Sequence, residues 1–213
     1  MKLDALIEEL AEDLAPVPSR RLWVDISIMA LVGVIELALL FALGFAHLDM
    51  HRMPTQPTMG WRLASLGLIS LVSGFLAIRS FDPTYSAQRF LRWLALLIAI
   101  CLAYGLVMGG MPTGMASIIH RLDWTDGVHC AAKIVLLSVP QLSGLAVLGR
   151  RGAPTDMRRT PLLIGLAAAT WGAFVFVFAC PFNGPTYIVV WYGVGCGIVT
   201  LASRVLLPPF VRW

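Results

Sequence analysis

Six long apolar blocks constrain this chain more than any other feature. They run roughly over residues 22–46, 61–79, 90–108, 127–149, 161–180 and 186–207. Each is close to the 17–25 residues that a helix needs to cross about 30 Å of hydrocarbon. A backbone in lipid must satisfy its own hydrogen bonds, so each block is expected to be a transmembrane helix. Composition agrees. Of 213 residues, 58% are hydrophobic and 13% charged, too few polar side chains to cover a soluble domain. The first block is too long for a cleaved signal peptide and follows an acidic segment. The expected fold is all-α: a polytopic bundle of six transmembrane helices over residues 20–213, with a short cytoplasmic amphipathic helix in residues 1–19.

Charge sets the expected orientation. Lys2, Arg20, Arg21, Arg79, Arg89, Arg92, Arg150, Arg151, Arg158, Arg159, Arg204 and Arg212 fall on one side of this topology. The other side has Arg52, Arg62 and Arg121, and Lys133 lies within a block. The excess marks the cytoplasmic face, so both termini are expected there. The net charge of +4 is then a topology signal and not a sign of nucleic-acid binding.

Residues 1–19 are different in kind. Leu3, Leu6, Ile7, Leu10 and Leu14 form one helical apolar stripe, and Pro16 and Pro18 end it. Asp4, Glu8, Glu9, Glu12 and Asp13 face only Lys2 in opposite charge. An anionic membrane surface repels such a helix. Two readings follow: a solvated tail, or a helix that lays its stripe in a groove on a basic partner and orders on binding.

The side opposite the arginines carries all four histidines, His47, His51, His120 and His129, and six of nine methionines, among them Met50 and Met53. Imidazole and thioether suit soft ions such as Cu(I), although the spacing fits no strict metal motif. Within the blocks, Asp25 is expected near the interface. Glu36 lies deeper and needs a partner, for which Lys133 is one candidate. Pro140 is expected to kink its helix. Gly193 and Gly197 have the GxxxG spacing of close helix packing.

Four cysteines remain. Cys101 and Cys196 are mid-block and read as packing residues. Cys130 begins the fourth block and Cys180 ends the fifth, at similar depth on the outer side, where an oxidant or metal has access. Neighbouring helices lie about 8–10 Å apart, so a small movement would let the two thiols meet or share an ion. His129 adjoins Cys130, and Lys133 is three residues on; a nearby cation favours the thiolate. The pair reads either as reactive or metal-binding, or as a permanent disulfide or two unrelated thiols.

The run CPFNGPTYIVVWYG at 180–193 resembles the Cys-Pro turn and Trp-Tyr helix of the NrsF-like, negative-regulator-of-sigma-F family. HCAAKIVLLSVPQLSGLAVLGRR, which contains Cys130, resembles its cysteine-bearing fourth span, and MKLDALIEELAEDLAPVPSRR its N-terminal segment. The resemblance covers the whole chain and is strongest in residues 1–21 and 127–193. It implies a six-span anti-sigma factor of a bacterial inner membrane. Residues 1–19 would hold an extracytoplasmic-function sigma factor, and Cys130 and Cys180 would sense heavy metal or oxidative stress. It implies no catalysis and no obligatory cofactor. A soft or borderline ion (copper, cadmium or zinc) is a candidate signal, with His47, Met50, His51, Met53 and His120 as accessory ligands.

Two other classes compete. A membrane thiol oxidoreductase passing electrons to quinone also needs outward cysteines, but such enzymes usually carry a Cys-x-x-Cys pair, and the chain has none. A metal transporter needs ligands through the midplane, where Glu36, Cys101 and Cys196 are sparse support.

Overall fold

The computed structural model describes residues 21–45, 57–82, 87–108, 124–152, 156, 159–182 and 184–211. Residues 1–20 lie outside them, and with them the expected N-terminal helix and its stripe. The described residues form α1 (Leu22–Ala42), α2 (Pro57–Arg79), α3 (Ala87–Met108), α4 (Trp124–Arg150), α5 (Thr160–Val177), α6 (Pro185–Leu206) and a single turn, α7 (Pro208–Val211). Among them there is no strand, and α1 to α6 are each long and apolar enough to cross a membrane. The fold is all-α and multi-pass.

Helix ends follow local chemistry. Residues 22–46 read as one span, but α1 stops at Ala42. Gly44 takes φ 71°, its N–H reaches the Phe41 carbonyl, and the Phe45 N–H reaches back to the Leu40 carbonyl. This glycine cap satisfies carbonyls that the helix leaves open. Similarly, α5 ends at Val177, short of residue 180. The Ala179 N–H tightens onto the Phe176 carbonyl, and Pro181 disfavours helical backbone at Cys180. Cys180 therefore sits in a turn just beyond the span. In contrast, α4 runs on through Pro140 as one helix, with Ser143 donating to the Pro140 carbonyl.

The bundle is built around α5, which packs against α2, α4 and α6. In its most apolar window 78% of residues are buried, against 28% for α1 and 11% for α3. Its sequence explains this position: Gly165, Ala167, Ala168, Ala169, Thr170, Gly172 and Ala173 leave a thin helix that neighbours can approach closely. A Cβ at Gly172 would run into Ser138 of α4, and one at Gly165 into Ser203 of α6. Lipid tails are as apolar as leucine, so such close packing and short polar bonds hold the helices together. Ser73 and Thr170 bond across α2 and α5 at 3.1 Å, and Ser203 donates to the Pro161 carbonyl at 2.9 Å. Large apolar side chains point outward instead, among them Leu71, Leu136, Leu201 and Val205.

Two expectations about the spans change. Gly193 and Gly197 do not pack against a helix, since a Cβ at either meets nothing within 4 Å. The close approach on α6 is at Gly195, 3.2 Å from Ile134, because α6 turns that face to α4. Asp25 lies in the first turn of α1, near the helix end as expected, and is buried there. Glu36 is buried too, but its partner is Trp171 of α5, whose Nε1 donates to Oε2 at 2.9 Å; Lys133 is exposed on α4.

Candidate functional site

Two clusters of buried side chains divide the bundle. One contains Cys130 and Cys180. α4 brings in Cys130 one turn after Gly127, where a Cβ would overlap the Trp191 ring. That glycine lets α6 lay Trp191 and Tyr187 over the start of α4. Trp124 meets Trp191 edge-on at 5.5 Å, and Phe182 covers Tyr187 at 4.8 Å. Tyr187 Oη donates to Cys130 Sγ at 3.3 Å. The turn after α5 brings in Cys180, whose sulfur is 3.8 Å from the Phe182 carbonyl oxygen and within hydrogen-bonding range of Cys130.

The thiols therefore meet without any helix movement. All four cysteines are free. Cys130 is 4% and Cys180 8% exposed, so the pair lies beneath an aromatic cover rather than open to water as the sequence suggests.

Sequence reading missed Arg62. Counted there as an outer-side cation, it is 1% exposed. Its Nη1 donates to the Phe182 carbonyl at 2.9 Å and its Nη2 to Tyr192 Oη at 2.7 Å. It thus pins the Cys-Pro-Phe turn to α6. A buried guanidinium requires acceptors and a counter-charge, and Cys180 is placed to supply the latter. The hydrogen bond from Cys130, then the charge of Arg62, the Phe182 backbone and Tyr192 hold the Cys180 thiol below its ordinary value of 9.0. Cys180 is thus the sulfur of the pair more disposed to the thiolate form. An arginine as the second residue of an apolar block was the available signal, together with Tyr187 and Tyr192 inside the CPFNGPTYIVVWYG run.

The remaining candidates lie apart. His129 and Lys133 are exposed on α4. His47, Met50, His51, Met53 and His120 lie outside the described residues, as do Leu3, Leu6, Ile7, Leu10, Leu14, Glu8, Glu9, Glu12 and Asp13. Cys101 and Cys196 both line a groove among α2, α3, α5 and α6, and Cys196 Sγ donates to the Ala169 carbonyl at 3.5 Å. Among the described residues no three His, Cys, Asp or Glu side chains gather as a metal site. The donor set there is two sulfurs, short of the four ligands of structural zinc. At the opposite end of the bundle, Arg159 is engaged with Asp156 at 3.4 Å, and Arg150 and Arg151 are exposed.

Six apolar helices among the described residues, with α2, α4, α5 and α6 enclosing a thiol pair, define a multi-pass membrane protein with a buried cysteine centre. The chain belongs to the NrsF family, described as negative regulator of sigma F, whose model matches residues 10–213. The family is regulatory rather than catalytic. The chain is 28% identical over 208 residues to the anti-sigma-F factor NrsF of Caulobacter vibrioides (strain NA1000 / CB15N), covering 92% of each protein. No solved structure matches it.

Proposed function

We propose that this protein is a bacterial inner-membrane anti-sigma factor with both termini in the cytoplasm. Residues 1–19 hold an extracytoplasmic-function sigma factor, and a change at Cys130 and Cys180 on the periplasmic side releases it. The observation that supports this reading is the contact of two free thiols beside a buried arginine. Oxidation joins the sulfurs in one bond and passes two electrons to the oxidant, with release of the proton that the thiol–thiolate pair still holds. A soft cation such as Cu(I), or cadmium, would instead be held by the two sulfurs in place of that proton; His47, Met50, His51, Met53 and His120 tune its capture. The acidic, leucine-striped segment suits a basic, apolar groove on the partner.

The test is Cys130→Ser with Cys180→Ser in cells carrying a sigma-dependent reporter. The variant is expected to hold the sigma factor and to stay silent under cadmium or oxidant. Normal induction would rule out the thiol sensor, and constitutive output would make the pair structural. Leu6→Asp with Leu10→Asp is expected to abolish copurification of the sigma factor from membranes. Unchanged copurification would reject the stripe as the binding element.

A further inference from the structure

The signal must pass from the thiols to residues 1–20, which continue directly into α1. α1 is loosely held, packing only on α4 and α2 among its larger contacts. Its specific tie to α5 is polar. Trp171 Nε1 donates to Glu36 Oε2 at 2.9 Å, and Glu36 Oε1 is buried with no hydrogen-bond partner among the described residues. The backbone is shaped for this contact: a Cβ at Gly33, one turn before Glu36, would sit 2.5 Å from the Trp171 ring. The same face of α5 continues as a ladder toward the cysteine turn. Trp171 stacks near Phe174, Phe174 near Phe178, and Phe178 against Phe41 of α1, each at 5.6 Å between centroids. Phe178 is two residues from Cys180.

We propose that the Trp171–Glu36 bond is the latch through which the cysteine turn moves α1, with the Phe174–Phe178–Phe41 ladder linking that turn to the latch. The carboxylate has one partner, so losing the indole leaves it buried and unsatisfied, and α1 must shift for it to find another. Contact is therefore either made or broken, which is what a switching element requires. The proposal rests on the cysteine pair being the sensor and residues 1–19 the output, and its test separates the two.

Full-length protein is labelled with 5-fluorotryptophan, placed in nanodiscs, and treated with phenylarsine oxide. This reagent bridges two thiols through arsenic(III) with loss of one water. Trp23, exposed near the start of α1, reports that helix. Its fluorine resonance is expected to move on bridging. The movement should fall about fivefold or more in Glu36→Leu and in Trp171→Phe, and persist in Glu36→Gln, which keeps an acceptor. Combining Trp171→Phe with Glu36→Leu restores an apolar contact and should fold well but remain uncoupled. A Trp23 signal indifferent to bridging in the natural sequence, or equally responsive in Glu36→Leu and Trp171→Phe, would overturn the latch. A latch-dependent movement without sigma-factor release would uphold it and sink the reading above.

Discussion

The two ends of the bundle are built on different principles. Around the cysteines the buried side chains include the aliphatic Ile134, Val177 and Ile188, but also Met59, Tyr187, Trp191, Tyr192 and Phe176, with Arg62 among them. At the far end they are Ile69, Leu76, Ile78, Leu94, Leu145, Leu148, Leu163 and Ile164, around Phe81. Apart from short bonds such as that of Ser203 to the Pro161 carbonyl, the far end is held by shape, and deleting atoms there leaves a void whose cost scales with its size. The cysteine end is held by directional bonds among groups that lipid cannot satisfy, so losing one partner strands the others. Volume changes should therefore act gradually at the far end and abruptly at the cysteine end. The proposed thiol sensor occupies the second of these.

The largest effect should come from breaking the directional end. Arg62→Met takes the guanidinium donor from the Phe182 carbonyl and from Tyr192, and the positive charge from beside Cys180. Removing one member of a buried charged cluster costs about 3–5 kcal/mol. Unfolding in mixed micelles measures it. The pH profile of Cys180 alkylation gives the chemical half of the test. Because its value is held down, the thiolate persists as the pH falls below 9.0, and the stability it contributes is present above 9.0 and lost as the pH falls through the lowered value. Arg62→Met shifts the profile part of the way back, since the Cys130 hydrogen bond remains. An unshifted profile would remove Arg62 from the thiol chemistry.

Leu163→Ala is the matching break at the far end. The side chain is 1% exposed, and the cavity costs about 2–5 kcal/mol. Here the alkylation profile should not move. A shift of Cys180 reactivity with Leu163→Ala would abolish the distinction between the two ends.

The sequence disclosed the helical scaffold more fully than the cysteine site, for physical reasons. Crossing a bilayer imposes length and apolarity on every helix, so the six spans are legible to within a few residues. The exceptions are ends set by single local events, the cap at Gly44 and the break before Pro181. Which helix lies at the centre depends on thinness, a property of α5 that hydropathy averages out; the spaced pair Gly193 and Gly197 drew attention instead. Cys130 and Cys180 were legible because both lie at the outer ends of their blocks, at one depth. Arg62 was not, because a cation near a span end normally serves topology. Its burial depends on Phe182 and Tyr192, which are 120 and 130 residues away in the chain. The Trp171–Glu36 bond was hidden for the same reason: Glu36 had to have a partner, and the sequence offered a lysine where the fold supplies an indole.

A smaller test stays at the cysteine end. Tyr187→Phe removes the hydroxyl that donates to Cys130 Sγ and keeps the ring beneath Phe182. One hydrogen bond to sulfur should cost about 1 kcal/mol or less. The visible change should be chemical, with faster modification of Cys130 by a small methylthiolating reagent. A loss as large as that of Arg62→Met would mean that the hydroxyl, and not the guanidinium, organises the site.

The smallest effect is expected where the two ends meet on the outside of α6. Gly193 and Gly197 line a groove of about 410 Å³ with Trp61, Cys101 and Cys196, and a Cβ at either glycine meets nothing within 4 Å. Gly193→Ala should therefore clash with no neighbour, while alanine is the better helix former. The net change in unfolding free energy should stay within about 0.5 kcal/mol, as at surface positions free of special contacts. Gly195 is the internal control, because its Cβ would lie 3.2 Å from Ile134 and must displace it. If Gly193→Ala proved as costly as Gly195→Ala, the groove face would be packed in the bilayer, and the comparison of ends would have to include whatever fills it.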